Sequence, residues 1–289
     1  MKVPSINPVV YHSVVTKLLN FATANRFLFS YPTPGGILDA CENPESIVTK
    51  TVAGIKIPDE QTGQMGLEHL FFDYYFLIEQ KLIEGFCCLT QSVRDEKEPE
   101  ERHFHMFPMF EMEMAGDKER LYEVVSQLLK EFGFNTPVRI KYEDACAELG
   151  VEIIGSKEEH ELYLRYGNCI ALEDFPERSA PFFNMKREKG VAKKIDFLLF
   201  GEEVIGSAER STDEQEMLSY FFSSNNGRFA GALISLFGLV PVISSLFSFL
   251  KKVERKHVRS GFGMGIVRFI NALIKLENEK NTSISEPNL

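Results

Sequence analysis

The sequence predicts an α+β domain built on an antiparallel sheet flanked by helices. Two observations support this class: strand-like runs alternate with helix-like runs, and several strands pair as hairpins. The 44% of apolar residues among 289 predicts a globular chain with a substantial core. Residues 1–278 contain no repeat and no low-complexity linker, so they are expected to form one domain. The polar tail 279–289 is expected to be flexible.

The first elements follow from local patterns. Residues 9–26 carry apolar side chains at helical spacing, and the prolines of the next segment, FLFSYPTP, favour an extended chain. Residues 67–84 again have helical spacing. Residues 86–94 and 104–114 are apolar runs typical of strands.

Capping residues mark the next two helices. Asp117 precedes an apolar stripe and is expected to cap a helix that ends at Gly133. Ser156 and Glu159 have the spacing of a capping box, which predicts the start of a shorter helix.

The C-terminal third contains a hairpin, an apolar stretch and a last helix. Residues 195–210 have the pattern of a hairpin, and residues 261–278 begin glycine-rich and continue as a helix. Residues 231–250 are apolar enough for a membrane span, but Gly238 and Pro241 interrupt them. Two buried elements broken at these residues are therefore predicted, and no membrane association is expected.

Composition narrows the function classes. The 32 basic and 42 acidic residues give a net charge of −10, which argues against a nucleic-acid coat or a binder of anionic membranes. The five cysteines are odd in number and have no zinc spacing, so reduced thiols in a cytoplasmic protein are expected. The first residues lack the apolar run of a secretory signal, which agrees with this location.

The first segment that carries chemistry is SVRDEKEPEERHFHMFPMFEMEM. Arg94 and Glu96 are two residues apart on a predicted strand, so they share a face and can hold a phosphate and a base amino group together. Glu111 and Glu113 share a face of the returning strand, where buried carboxylates are costly unless partnered. A solvated edge strand explains the same pattern equally well.

Two further segments carry charged groups at suggestive spacing. In the predicted hairpin, Asp196 lies near Glu203, and such a pair can hold Mg²⁺; Arg210 can bind a carboxylate as a fork. In GFGMGIVR, close-packed glycines precede a helix start and Arg268, which together favour an anion. A charged surface hairpin and a lone glycine run are common alternatives, and the GxGxG spacing excludes a Rossmann fingerprint.

Together these segments resemble the catalytic core of class II aminoacyl-tRNA synthetases, aspartate/asparagine branch. GFGMGIVR resembles motif 3, VRDE with RHFHMFPMFEME resembles motif 2, and NRFLFSYPTP resembles motif 1 with Pro34 as its proline. IDFLLFGEEVIGSAERSTD and EDFPERSAPFF are similar to two further segments of the branch. The resemblance covers about residues 10–275 and is closest to the stand-alone archaeal asparagine synthetase-related enzyme.

The resemblance implies a site for ATP, Mg²⁺ and an amino acid. The ATP-binding residues would be Arg94, Glu96, Arg102, His103, Phe107, Glu203, Gly265 and Arg268, with Arg94 and Arg268 catalytic. The magnesium ligands would be Asp196 and Glu203, and the substrate-binding residues would be Glu111, Ser207 and Arg210.

The sequence also departs from the branch. Met106 and Met109 replace its Glu and Gln, and Glu111 replaces the Asp that meets the substrate ammonium. The substrate-loop signature is not recognisable in residues 67–76, and KHVRSG replaces the usual PPH-type lead-in to motif 3. The motifs therefore support ATP binding more fully than aspartate binding.

The resemblance implies an AMP-forming ligase. With ATP and Mg²⁺ it would activate a carboxylate, expected to be the aspartate side chain, as an acyl-adenylate and transfer it to ammonia or a small amine. About ten residues precede the resemblance, so no anticodon-binding barrel and no tRNA charging are expected. An amide ligase for another acid or amine and a non-catalytic paralogue remain alternatives, and a homodimer is expected.

Overall fold

The computed structural model describes residues 1–32, 36–40, 46–59, 61–97 and 103–285, with side chains described through residue 281. Their strands are β1 (Phe27–Phe29), β2 (Thr49–Val52), β3 (Ile55–Pro58), β4 (Gly85–Val93), β5 (Met106–Ala115), β6 (Val138–Lys141), β7 (Cys169–Pro176), β8 (Arg187–Glu188), β9 (Val191–Leu199), β10 (Glu202–Glu209) and β11 (Arg259–Gly265). Their helices are α1 (Pro8–Ala24), α2 (Gln64–Asp73), α3 (Tyr75–Glu79), α4 (Lys118–Glu131), α5 (Tyr142–Leu149), α6 (Ser156–Tyr166), α7 (Glu214–Ser223), α8 (Arg228–Phe237), α9 (Leu239–Val253) and α10 (Ile266–Ser285).

One large sheet organises these elements. Its strands lie in the order β1-β4-β5-β11-β10-β9-β7-β6, and β8 pairs with β9 at the side. The ladder from β4 to β7 is antiparallel, as predicted, whereas β1 and β6 pair in parallel at the two ends. The fold is therefore a mixed sheet flanked by helices.

The two faces of the sheet have different coverings. On one face α1, α4 and α10 pack over alternate residues of β5, including Phe110 and Met112. On the other face α2 and α7 to α9 pack over residues of β4 such as Phe86. Because side chains alternate along a strand, Glu111 and Glu113 point to this second face.

Most predicted elements are confirmed. Asp117 caps α4 by accepting hydrogen bonds from the amides of Glu119 and Arg120. β9 and β10 form the predicted hairpin, and its turn residues Phe200 and Gly201 both have positive φ, which matches the twist of paired strands.

The apolar stretch forms two helices, α8 and α9, which divide at Gly238 as predicted, whereas Pro241 does not break α9 and Leu239, Val240 and Phe247 are exposed instead of buried. Gly238 lies between them with a φ of 88°, and Pro241 lies in the first turn of α9, where its missing N–H costs no helical bond. Across the described part of the chain, no helix has both the length and the apolarity needed to cross a membrane.

Three predictions of local structure are corrected. The helix predicted over residues 67–84 divides at Tyr74 into α2 and α3 and ends before Gly85, where β4 begins. The predicted capping box shifts by one residue, because Gly155 is the N-cap and its amide donates to Glu158 Oε2 at 3.0 Å. Finally, α10 continues to Ser285, so the first residues of the segment 279–289 are helical.

Candidate functional site

A cavity of about 440 Å³ lies over the centre of the sheet, on the face covered by α2. It brings together nine of the predicted site residues, which are Arg94, Glu96, His103, Phe107, Glu203, Ser207, Gly265, Arg268 and Arg210. Glu111 and Asp196 are not among the described residues that line it, and Arg102 and Pro34 lie outside the described residues. Residues from the three segments that the sequence singled out therefore converge on one space.

One end of the cavity combines an arginine, a carboxylate and an aromatic ring. Arg94 and Glu96 lie just beyond β4 rather than on it, although the Arg94 amide still donates to the His105 carbonyl at 2.8 Å. The Arg94 guanidinium lies 5.4 Å from the centre of the Phe107 ring, and Glu96 Oε2 lies 3.1 Å from His103 Nδ1. Arg94 Nε is buried and has no hydrogen-bond partner among the described residues. This donor fits an anionic ligand beside the ring.

Arg268 reaches the cavity from the first turn of α10. Its Nη1 donates to the Glu203 carbonyl at 2.7 Å, which fixes the guanidinium beside β10. Gly265 ends β11 just before this helix, and a Cβ built there would meet no atom within 4 Å. The backbone at the helix start is therefore open to a ligand, and the helix dipole favours an anion there.

The two predicted magnesium ligands, Asp196 and Glu203, flank Gly206. A Cβ on Gly206 would lie 2.9 Å from Glu203 Oε1 and 3.7 Å from Asp196 Oδ1, so both carboxylates face the same space. Lys194 forms an ion pair with Asp196 and also lines the cavity. Within the described ranges no three His, Cys, Asp or Glu side chains form a metal cluster. Two carboxylates fit Mg²⁺ when substrate phosphates complete its coordination.

Another part of the cavity wall is built around Arg210. Its Nη2 donates to Gln64 Oε1 at 2.6 Å and to Glu113 Oε2 at 3.2 Å. Gly261 faces this pair, and a Cβ there would lie 1.9 Å from Glu113 Oε2 and 2.9 Å from Arg210 Nη2. The first glycine of GFGMG therefore lets a carboxylate and a guanidinium meet across β11.

A second buried ion pair lies beneath Arg210. Arg259 Nε and Nη2 donate to Glu68 Oε2 at 2.8 and 2.5 Å, and Asn184 Nδ2 donates to Glu68 Oε1 at 2.5 Å. Arg259 Nη1 also donates to the Ser211 carbonyl at 3.1 Å. This pair anchors α2 to the strand that precedes α10.

Glu111 differs from its predicted position in the substrate site. Its fully buried carboxylate accepts hydrogen bonds from Thr62 Oγ1 at 2.7 Å, Gly63 N at 2.8 Å and Thr90 Oγ1 at 2.5 Å. Burial raises the pKa of Glu111, and these donors partly oppose the shift. Contact with a substrate ammonium stays a prediction, and the observed role of Glu111 is to hold the chain at Thr62 and Gly63.

Sequence reasoning missed part of the cavity wall. The residues that it did not single out include Gln61, Thr62, Gln64, Met65, Asn184 and Lys194. The polar run QTGQ directly before an apolar helix was the available signal, but the substrate segment was expected at residues 67–76. There, Asp73 pairs with Lys252 and His69 packs against Phe249. Those two side chains have structural contacts.

Comparisons with known proteins agree with this geometry. Residues 80–284 match the family model of class II tRNA synthetases (D, K and N). The structure is similar to asparaginyl-tRNA synthetase from Pyrococcus horikoshii complexed with asparaginyl-adenylate, with 21% identity and a TM-score of 0.72 over 92% of this chain and 64% of that chain. Asparaginyl-tRNA synthetase from Entamoeba histolytica is similar with 17% identity and a TM-score of 0.70 over 92% of this chain and 63% of that one.

A third similar structure is aspartyl tRNA synthetase from Entamoeba histolytica, with 15% identity, a TM-score of 0.66 and 92% and 55% coverage of the two chains. The chain thus spans less than two-thirds of the length of each of these structures. No curated protein matches the sequence.

Proposed function

The chain belongs to the class II tRNA synthetases of the D, K and N branch, and from that membership we propose that it is an ATP-dependent ligase that activates a carboxylate as an acyl-adenylate. One observation supports the proposal above all. Arg94 and Arg268, from distant parts of the sequence, line the same cavity as the carboxylate of Glu203 and the guanidinium of Arg210.

The proposed chemistry needs no protein nucleophile. A substrate carboxylate attacks the α-phosphorus of ATP, and pyrophosphate leaves on the opposite side, so the protein must align the two reactants and neutralise negative charge. Arg94 would hold the α-phosphate beside the Phe107 ring, and Arg268 would hold the γ-phosphate. Asp196 and Glu203 would hold Mg²⁺, which supplies further charge neutralisation when bound.

We propose aspartate as the acid because the cavity offers one arginine beyond those assigned to ATP. Arg210 can pair with one carboxylate of a dicarboxylic amino acid while the other faces the α-phosphorus. Activation of the side-chain carboxylate followed by attack of ammonia gives asparagine, whereas activation of the α-carboxylate gives the α-amide. Identification of the amide product by NMR distinguishes the two orientations.

A different acid is the second candidate, and the apolar part of the cavity wall favours it. Met65, Met109, Phe182 and Met185 line the cavity beside the polar groups. An acid with a larger apolar body would contact these side chains, which aspartate cannot fill. A panel of acids and amines separates this candidate from the first: another acid must then give faster turnover than aspartate.

The decisive experiment is ATP–pyrophosphate exchange with each amino acid and a panel of other acids. Exchange that depends on one acid supports adenylate formation, and AMP formation in the presence of ammonia, small amines or tRNA then identifies the acceptor. Absence of exchange with every acid would refute the ligase proposal and favour a non-catalytic paralogue.

We also propose that the chain forms a homodimer through the end of the sheet at β1. Leu28, Phe29 and Tyr31 are 44%, 52% and 84% exposed there, which is unusual for three apolar or aromatic side chains so close together. A second copy would cover this surface. Analytical ultracentrifugation tests the proposal, and a Phe29→Glu variant should shift the mass towards the monomer.

A further inference from the structure

Four buried charges lie together around Arg210. The side chains of Arg210, Arg259, Glu68 and Glu113 are all at most 2% exposed. Two are cations and two are anions, so these four charges balance one another; the buried carboxylate of Glu111, which also interacts with Arg210, accepts three hydrogen bonds of its own. Buried charge is tolerated where it is balanced in this way and hydrogen-bonded.

A substrate carboxylate would upset this balance. If it pairs with Arg210, the cluster holds three carboxylates against two guanidinium groups, and the four resident side chains are almost completely buried. An uncompensated buried charge is strongly unfavourable, so one carboxylate is expected to become neutral. A substrate that carries an amide in place of this carboxylate adds no charge, so no carboxylate of the cluster needs to be neutralised.

The two carboxylates of the cluster, Glu68 and Glu113, differ in the hydrogen bonds that they accept. Glu68 accepts hydrogen bonds on both oxygens, from Arg259 and from Asn184. Glu113 accepts hydrogen bonds from Arg210 on Oε2, whereas its buried Oε1 has no hydrogen-bond partner among the described residues. The closest cation to Glu113 Oε1 is Arg259 Nε at 4.0 Å. Glu113 therefore has an oxygen that can carry a proton.

The charged groups around Glu113 also favour Glu113 as the carboxylate that takes up the proton. The charged groups that face it are Glu68 from α2, Arg259 from β11 and Arg210 directly after β10, while its partners in the neighbouring strands are Phe86 and Gly261. Burial raises the pKa of Glu113 to about 7, Arg210 opposes the shift, and Glu68 adds to it.

We propose that Glu113 is a specificity-determining residue, which takes up one proton when a substrate carboxylate pairs with Arg210 and so allows this buried site to accept an acid. The inference rests on the proposed function, because it requires an acidic substrate. The proton comes from solvent and binds Glu113 Oε1, and Arg210 exchanges the Glu113 carboxylate for that of the substrate. No covalent bond other than the new O–H changes.

The proposal predicts a pH dependence of definite sign. Below the pKa of the ligand-free site, Glu113 already carries the proton, and acid binding needs none from solvent. Above it, each pH unit weakens acid binding by about tenfold because a proton must be taken up with the ligand. Asparagine binding should be insensitive to pH over the same range.

Isothermal titration calorimetry tests this with the full chain. Aspartate and asparagine are titrated separately at about pH 8 in phosphate and in Tris, two buffers with different heats of ionisation. The expected result is uptake of about one proton per aspartate and close to none per asparagine. Aspartate binding without proton uptake would overturn the proposal.

A variant gives a second test. Glu113→Gln removes the titrating group while keeping its shape, so aspartate binding should lose both its proton uptake and its pH dependence. The matched control is Glu131→Gln on the exposed end of α4, which should leave both unchanged. Retention of proton uptake in Glu113→Gln would contradict the assignment.

The two proposals fail in different ways. If aspartate supports ATP–pyrophosphate exchange but binds without a proton, the ligase proposal stands and the role of Glu113 is wrong. If no acid supports exchange, the ligase proposal itself fails. If asparagine binds and aspartate does not at any pH between about 6 and 9, the site selects amides and the role of Glu113 is again wrong.

Discussion

Replacement of Gly261 by alanine tests how closely Glu113 and Arg210 pack against β11. The added Cβ would lie 1.9 Å from Glu113 Oε2, 2.7 Å from the Met112 carbonyl oxygen and 2.9 Å from Arg210 Nη2. The side chains of Glu113 and Arg210 can swing aside, but the Met112 carbonyl belongs to the paired strand β5 and cannot. The substitution must therefore separate a buried ion pair and also strain the ladder between β5 and β11.

The expected loss of stability follows from these two effects. Overpacking a tight site costs about 1–3 kcal/mol, and breaking a buried ion pair costs about 3–5 kcal/mol. Because the two effects overlap, we expect a decrease of about 3–5 kcal/mol in the free energy of unfolding. For a chain of this size that corresponds to a fall in melting temperature on the order of 10 °C.

Thermal and urea unfolding of Gly261→Ala measure this loss. Gly265→Ala is the matched stability control, because it lies on the same strand and its Cβ would meet no atom within 4 Å. The control should unfold within about 1 kcal/mol of the natural protein. If Gly261→Ala were equally stable, the close packing of Glu113 and Arg210 against β11 would be wrong.

Four further predictions concern the site and the fold. Arg268→Ala should reduce ATP–pyrophosphate exchange by about 100-fold or more with little change in melting temperature, and full activity would contradict its assignment. Glu203→Gln should raise the Mg²⁺ concentration needed for half-maximal exchange, since it removes one negative ligand; an unchanged Mg²⁺ titration would argue against that role. Asp117→Ala should cost about 1 kcal/mol in urea unfolding through loss of the α4 cap, and no loss would mean that the cap is unimportant. Burial raises the pKa of Cys87 and of Cys169 to about 12, so at pH about 8 iodoacetamide should modify them slowly in the folded protein and rapidly in urea; equal rates would show that they are accessible.

Local chemistry explains why much of the fold is predictable. An N-cap such as Asp117 and a helix break such as Gly238 act on the residues next to them. The sequence within a few residues of each therefore predicts where a helix begins or ends. The alternation along β5 likewise follows from strand geometry, with Phe110 and Met112 on one face and Glu111 and Glu113 on the other. The motif residues that line the cavity were predictable because their order and spacing resemble a known family.

The partners of the buried charges were not predictable in this way. In sequence, Glu68 resembles any helix-surface carboxylate, and Arg259 lies in KHVRSG, a segment that departs from the usual lead-in to motif 3. The structure brings them together although they are 191 residues apart, and it places Glu111 against Thr62 and Gly63 instead of in the cavity.

The sequence by itself therefore determined which residues carry charge and which elements hold them. Only the tertiary structure decided which charges lose contact with water and which groups compensate them. The physical reason is that helix and strand patterns depend on near neighbours, whereas the cost of a buried charge depends on partners supplied by distant segments of the chain.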